Sequence, residues 1–271
     1  MKNKLSKTLK ILVYLSAFIT LSILIFMLSY ILLKGVKHLN KDLFSFVYTS
    51  ENCSVIPSLV NTLIITSLAL LISCPLGICT AIYLTEYAKK GNKFVKIIRL
   101  TTETLSGIPS IIYGLFGMLL FVSQLKWGYS LLAGSCTIAI MILPTIMRTT
   151  EEALLSIPDS YREGSFGLGV GKLKTILKVI LPPAMPGIIN GIILATGRVV
   201  GETAALIYTS GTVANIPKNV LGSGRTLAIH MYVLSSEGLH INQAFATGVV
   251  LLIFVIIINT ISNLISSKIR K

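Results

Sequence analysis

From Ile11 to Leu33 the chain reads ILVYLSAFITLSILIFMLSYILL, 23 residues without a charged side chain. At 1.5 Å per residue such a helix is about 35 Å long, enough to cross the ~30 Å hydrocarbon layer of a bilayer. Comparable apolar stretches recur at 58–84, 108–123, 129–147, 184–208 and 243–265. Six transmembrane helices and an all-α integral membrane fold are therefore expected. The composition agrees, with 53% hydrophobic and 13% charged residues and a mean hydropathy of +0.82. A soluble domain carries about 25% charged residues, so an ordinary soluble fold is excluded, and disorder with it.

The 24 Lys and Arg against 10 Asp and Glu leave a net charge of +14. With the N-terminus in the cytoplasm, seventeen basic residues lie on that side and six outside, with Arg198 inside the fifth span. That matches the preference for positive charge on the cytoplasmic face. A nucleic-acid role loses its support, because the basic residues are split among four segments with no aromatic platform beside them. Lys2, Lys4, Lys7 and Lys10 ahead of the first run resemble a signal peptide, but its apolar region would span only about 7–15 residues. Lys34-Gly-Val-Lys37 follows with no small-x-small cleavage site, so a retained first helix is expected. Cys53, Cys74, Cys79 and Cys136 show no metal spacing and read as small buried hydrophobes.

The expected organisation is an N-terminal tail, first helix and outer loop over 1–57, a five-helix core over 58–265, and a tail over 266–271. The third and fourth spans, separated by Gln124-Leu-Lys-Trp-Gly128, should form a tight hairpin. The loop 148–183 reads as two short helices joined by a glycine turn. Ser156 fits an N-cap with Asp159 three residues on, Pro158 falls in the first turn, and Gly167 and Gly169 interrupt the helix. A second helix from about Gly171 carries Leu173, Ile176, Leu177 and Ile180 on one face, and Pro182-Pro183 should end it. An amphipathic element lying on the bilayer is the simpler alternative. Gly167 to Lys172 is not a phosphate-binding loop: Phe166 stands at the first glycine position and Leu173 where Ser or Thr is needed.

This loop resembles that of the integral-membrane subunits of ABC importers, whose pattern is E-A-A-x3-G-x9-I-x-L-P. Here it reads Glu163-Gly164-Ser165, Gly169 and Val179-Ile180-Leu181-Pro182, with the spacing intact. In that family the loop forms the coupling helix that docks on the ATPase, so the resemblance assigns that contact to Tyr161, Glu163, Gly164, Gly169, Leu181 and Pro182. A narrower likeness lies in Arg198-Val-Val-Gly201-Glu202-Thr203-Ala204, in Ser106 to Gly117, and in Ser223-Gly-Arg225 to His230-Met-Tyr232. These segments are similar to PstA-type phosphate permeases. The resemblance implies a type I ABC importer permease bundle in the bacterial cytoplasmic membrane, not itself an enzyme and binding no cofactor. It further implies a PstC-type partner permease, two ATPase subunits that bind ATP and Mg, and an extracytoplasmic phosphate-binding protein received in part by 209–242. Sulfate or molybdate importers and, more distantly, a stand-alone secondary transporter are the competing readings.

Arg198 and Glu202 are the only ionisable residues in the predicted spans. Each costs about 2.5–3.5 kcal/mol near mid-membrane, and at i, i+4 they can pair along one helix face. A structural ion pair is one reading. In the other, Arg198, about 21 Å from the cytoplasmic helix end, offers planar donors to an oxyanion while Glu202 holds it and weakens its grip. Thr203 and Ser110 would add hydroxyls to this path. Gly187-x3-Gly191 and Gly197-x3-Gly201 permit close helix approach and, with Arg198 beside the second, place this helix at the centre of a bundle, facing either other helices of this chain or a homologous partner subunit.

Overall fold

Backbone groups in hydrocarbon must find their partners within the chain. The computed structural model, which describes residues 2–89 and 91–269, is accordingly helical, with no strand among those residues. The helices are α1 (Lys2–Gly35), α2 (Ile56–Ile82), α3 (Lys93–Ser106), α4 (Ser110–Gly117), α5 (Leu131–Leu155), α6 (Asp159–Gly167), α7 (Lys172–Thr175), α8 (Leu181–Val200), α9 (Ala204–Ile207), α10 (Leu227–Glu237) and α11 (Ile241–Ile269). π-Turns extend α2 to Tyr87 and α4 to Gln124, and another, Ile176–Ile180, joins α7 to α8. Five of these segments are long and apolar enough to span a membrane, and α3 with α4 makes a sixth if the bent pair is one span.

That pair bends by 102°. Pro109 has no N–H to continue a helix and disfavours helical geometry at Ile108, so it becomes the residue preceding α4. Pro75 and Pro144 stay inside α2 and α5. The expected hairpin between α4 and α5 is present. Lys126 and Gly128 take positive φ at its tip, Trp127 stacks on Phe121 at 5.3 Å, and the Ser130 hydroxyl accepts from the Ala133 N–H at 3.2 Å.

Within this chain by itself the most buried helix is not α8. It is α5, with 67% of its apolar window buried, against 33% for the segment containing α8. Ile138, Ile142 and Ile146 of α5 form the core with Ile65 of α2, Val199 of α8 and Leu206 of α9. The two glycine pairs of α8 explain its offset position. A Cβ on Gly187 or Gly191 would run into Ala153 or Thr149 of α5, whereas one on Gly197 meets nothing within 4 Å. Only the first pair is a packing contact within this chain. At the rim, α1 lies against α11, with Tyr30 edge-on to Phe245 at 5.6 Å.

Two details of the loop 148–183 also differ. α5 runs on to Leu155, and Ser156 is its C-cap, donating to the Ala153 carbonyl at 2.7 Å; Pro158 takes the N-cap position of α6 without a side-chain cap. Pro182 and Pro183 do not end the second helix. The π-turn before them shifts the hydrogen-bond register, and they fall in the first turn of α8, where a missing N–H costs little.

At the opposite end, α10 begins at Leu227, with Thr226 as its N-cap. His230 is fully buried there, between the Ser58 hydroxyl at 3.2 Å and the Cys53 carbonyl at 3.1 Å. Burial, and then the charge of Arg225, push its pKa down to about 3. A folded pKa below the ordinary 6.5 means that His230 favours the fold above pH 6.5, and that this contribution is lost as the pH falls from there toward 3. The thermal midpoint of wild type should therefore drop more steeply between pH 7 and 4 than that of His230→Gln. By the same measurement in detergent, Gly191→Val should lose about 1–3 kcal/mol through overpacking, while Gly197→Ala should stay within about 0.5 kcal/mol.

Candidate functional site

Arg198 stands near the end of α8, half-buried, and among the described residues it makes no hydrogen bond or ion pair. The predicted partner is elsewhere. α8 stops at Val200, so Glu202 is no longer one helical turn above Arg198. Its buried carboxylate instead accepts from the Ala205 N–H at 3.1 Å, stabilising the start of α9. On α4 the Tyr113 hydroxyl donates to the Leu105 carbonyl at 2.8 Å, across the break between α3 and α4. Gly114 lets α4 approach the backbone of Ala204 and Ala205, and that contact brings α4, α8 and α9 together around Arg198. Ser110 begins α4, half-buried, while the Thr203 hydroxyl faces its own Gly201 carbonyl at 3.5 Å.

One turn from Arg198 on the same face, Leu194 lines a cavity of about 570 Å³ between α3, α5 and α8. Its charged lining consists of Arg99, Glu103, Arg148, Glu151 and Glu152. Arg99 pairs with Glu151 at 2.6 Å and Arg148 with Glu152 at 3.0 Å. An anion leaving Arg198 along this groove would meet arginines already engaged by carboxylates, which weakens each as an anion trap.

The loop at the far end of the groove is held by Arg162. Its Nε and Nη2 grip the Glu86 carboxylate at 2.7–3.3 Å, and its remaining donors reach the carbonyls of Leu154 and Ile157 and Asp159 Oδ1. Glu86 holds this guanidinium above its ordinary pKa. One side chain thus joins α6 to the ends of α2 and α5. The Ser165 and Thr175 hydroxyls bond at 2.8 Å across the turn, and Gly169 adopts φ +73°, which favours glycine. Tyr161, Glu163 and Gly164 are exposed on the outer face of α6. Space around Gly164 would admit a Cβ, so glycine in place of alanine there leaves the loop's shape intact. Leu181 and Pro182 sit where the loop enters α8.

Residues 73–271 match the family model described as "Binding-protein-dependent transport system inner membrane component". The chain belongs to this family of ABC importer permeases. It is 34% identical over 278 residues to the probable ABC transporter permease protein YqgI of Bacillus subtilis, covering 95% of this chain and 93% of that one. It is 35% identical over 214 residues to the phosphate transport system permease protein PstA 1 of Mycobacterium tuberculosis, covering 79% and 69%. In fold it is similar to the inward-facing MetNI methionine ABC transporter, with a TM-score of 0.68 at 21% identity over 79% of this chain and 95% of that one. A second fold relative is the bacterial alginate ABC transporter in complex with alginate pentasaccharide-bound periplasmic protein, with a TM-score of 0.66 at 17% identity over 95% and 96%.

Within this permease, three features escaped the sequence reading. The charges at 148–152 were assigned to a loop because the apolar run stops at Met147, although nothing between Arg148 and Leu155 breaks a helix and Arg148/Glu152 has i, i+4 spacing. Glu86 and Arg162 are 76 residues apart, and no local pattern pairs them. Tyr113 lay within a quoted segment but without a role. Breaking the Arg162–Glu86 pair should destabilise the permease by about 3–5 kcal/mol, because the carboxylate left behind is buried. Thermal unfolding of Arg162→Gln, Glu86→Gln and the double variant should give a coupling energy above about 1 kcal/mol.

Proposed function

We propose that this permease carries inorganic phosphate across the bacterial cytoplasmic membrane, with both termini in the cytoplasm. The observation that carries the reading is Arg198: a half-buried guanidinium without a carboxylate partner, one turn above a groove of paired charges. Its planar donors suit a tetrahedral oxyanion, and the relatives named as phosphate permeases support the choice of phosphate. Glu202 contributes by anchoring α9 beside Arg198. Ser110 and Thr203 border the same path. Phosphate passes between this chain and a homologous PstC-type subunit after delivery by an extracytoplasmic binding protein. Two ATPase subunits supply the energy, and ATP and Mg bind there. The exposed Tyr161, Glu163 and Gly164 meet the ATPase, Gly169 shapes the turn, and Leu181-Pro182 pass its motion to α8.

ATP-driven uptake by the complete complex in proteoliposomes tests this reading. Arg198→Gln should lower phosphate uptake at least about tenfold while assembly and ATPase activity persist, since a guanidinium–oxyanion contact is a strong charge-assisted one. Glu163→Lys should lower uptake with the ATPase uncoupled. Sulfate and molybdate should neither be carried nor compete. Uptake of sulfate in place of phosphate would overturn the substrate, and unchanged uptake in Arg198→Gln would overturn the path.

A further inference from the structure

A second arginine stands at the end of the bundle opposite the coupling loop. Arg225 is 4% exposed, and its backbone is held on both sides: its N–H donates to the Val213 carbonyl at 2.8 Å, and its carbonyl accepts from Asn61 Nδ2 at 3.3 Å. The guanidinium lies 4.7 Å from the centre of the Tyr48 ring. That contact satisfies a face of the ion but not its N–H edge. Nε and Nη2 are buried without a hydrogen-bond partner, and Arg225 takes part in no ion pair among the described residues.

Arg162 shows what this edge is suited to hold, because its own Nε and Nη2 carry the Glu86 carboxylate. Glu237 lies near enough to act on Cys53, as Arg225 does, yet among the described residues it forms no ion pair with Arg225. His230 stays neutral, and Ser58, Asn61, Thr62 and Thr226 are uncharged. A guanidinium this deeply buried is costly unless an acceptor meets it. The same region holds a complementary orphan. Asn61 is fully buried, and its Oδ1 has no partner. Its amide orientation is set by Nδ2, which donates to the carbonyls of Asn215 and Arg225. Asn61 is thus tied to Arg225 through the backbone carbonyl, and two parallel donors with an acceptor on the bonded residue suit an oxyanion that still carries a proton. Phosphate does so near neutral pH, and sulfate does not.

We propose that Arg225 and Asn61 form a second anion site, for hydrogen phosphate, at the end of the bundle opposite the coupling loop. Along α2 it lies about 38 Å from Glu86. Tyr48, in the segment 45–54, covers the guanidinium, so that segment moves when the ion enters. The choice of phosphate rests on the transport function proposed above, whereas the site rests on Arg225 and Asn61.

Hydrogen exchange of the nucleotide-free complex in nanodiscs, with inorganic phosphate, sulfate or chloride added, reads this site directly. Phosphate should slow exchange in 45–54 several-fold, in wild type and equally in Arg198→Gln, and sulfate and chloride should not. Arg225→Lys, which loses the bidentate edge, should raise the phosphate concentration needed at least about tenfold. Asn61→Leu should abolish the preference for phosphate over sulfate. Equal protection by sulfate in wild type would overturn the hydrogen phosphate assignment, and no anion dependence would overturn the site, as expected if only water meets the arginine. If Arg225→Lys fails to assemble, Asn61→Leu and the three-anion comparison on wild type decide. Transport of phosphate without protection of 45–54 sinks the site and leaves the function standing; protection by phosphate in a complex that carries another oxyanion does the reverse.

Discussion

Hydrocarbon cannot hydrogen-bond, and a charge or backbone group placed in it must find its partner inside the protein. In this chain that constraint produces helices throughout the described residues and leaves the polar side chains to be settled one by one. Many serines and threonines in the spans return their hydroxyl protons to their own helix, as Thr62, Ser73, Ser135 and Thr137 do. The charged residues cannot do this. They sit in pairs, as Glu86 with Arg162 and Arg99 with Glu151, or stand without a carboxylate among the described residues, as Arg198 and Arg225 do. The exceptions carry the chemistry proposed here.

The packing places those exceptions. Because α5 occupies the centre, α8 is packed through Gly187 and Gly191 at one end and open through Gly197 at the other. The open end carries Arg198. α2 runs beside α5 and links the two polar regions, with Asn61 beside Arg225 near one end and Glu86 in the grip of Arg162 at the other. A movement of α6 would therefore reach α2 and α5 directly through Arg162, and a movement at Lys172 would reach α8 through the continuous segment Lys172–Val200. A lever of this kind needs rigid joints, and the Arg162 hydrogen bonds with the Ser165–Thr175 contact provide them.

The fold class and the spans were legible because each span is a contiguous apolar run, which is a local property. The hairpin over 124–128 and the turn at Gly169 were legible for the same reason. Misreadings occurred where local rules compete. Ser156 and Asp159 satisfy a capping box on paper, but the strong helix formers of 151–155 carry α5 into that position and turn Ser156 into a C-cap. Pro182-Pro183 stops a helix in an ordinary register, and the π-turn at 176–180 removes the objection. Arg198 and Glu202 have the spacing of a pair, yet α8 ends at Val200 with Gly201 as its C-cap, between them.

By itself the sequence determined that this is a helical membrane protein with several spans, and the motif around Glu163, Gly169 and Pro182 indicated its family, because spans and motifs are written in residues adjacent along the chain. Only the tertiary structure decided which helix is central, that Arg198 is without Glu202, that Arg162 joins three helices, and that Arg225 and Asn61 hold orphaned polar groups in one place. Each of those depends on partners distant in sequence, and their meeting is set by helix breaks and by the packing of glycines against neighbouring side chains.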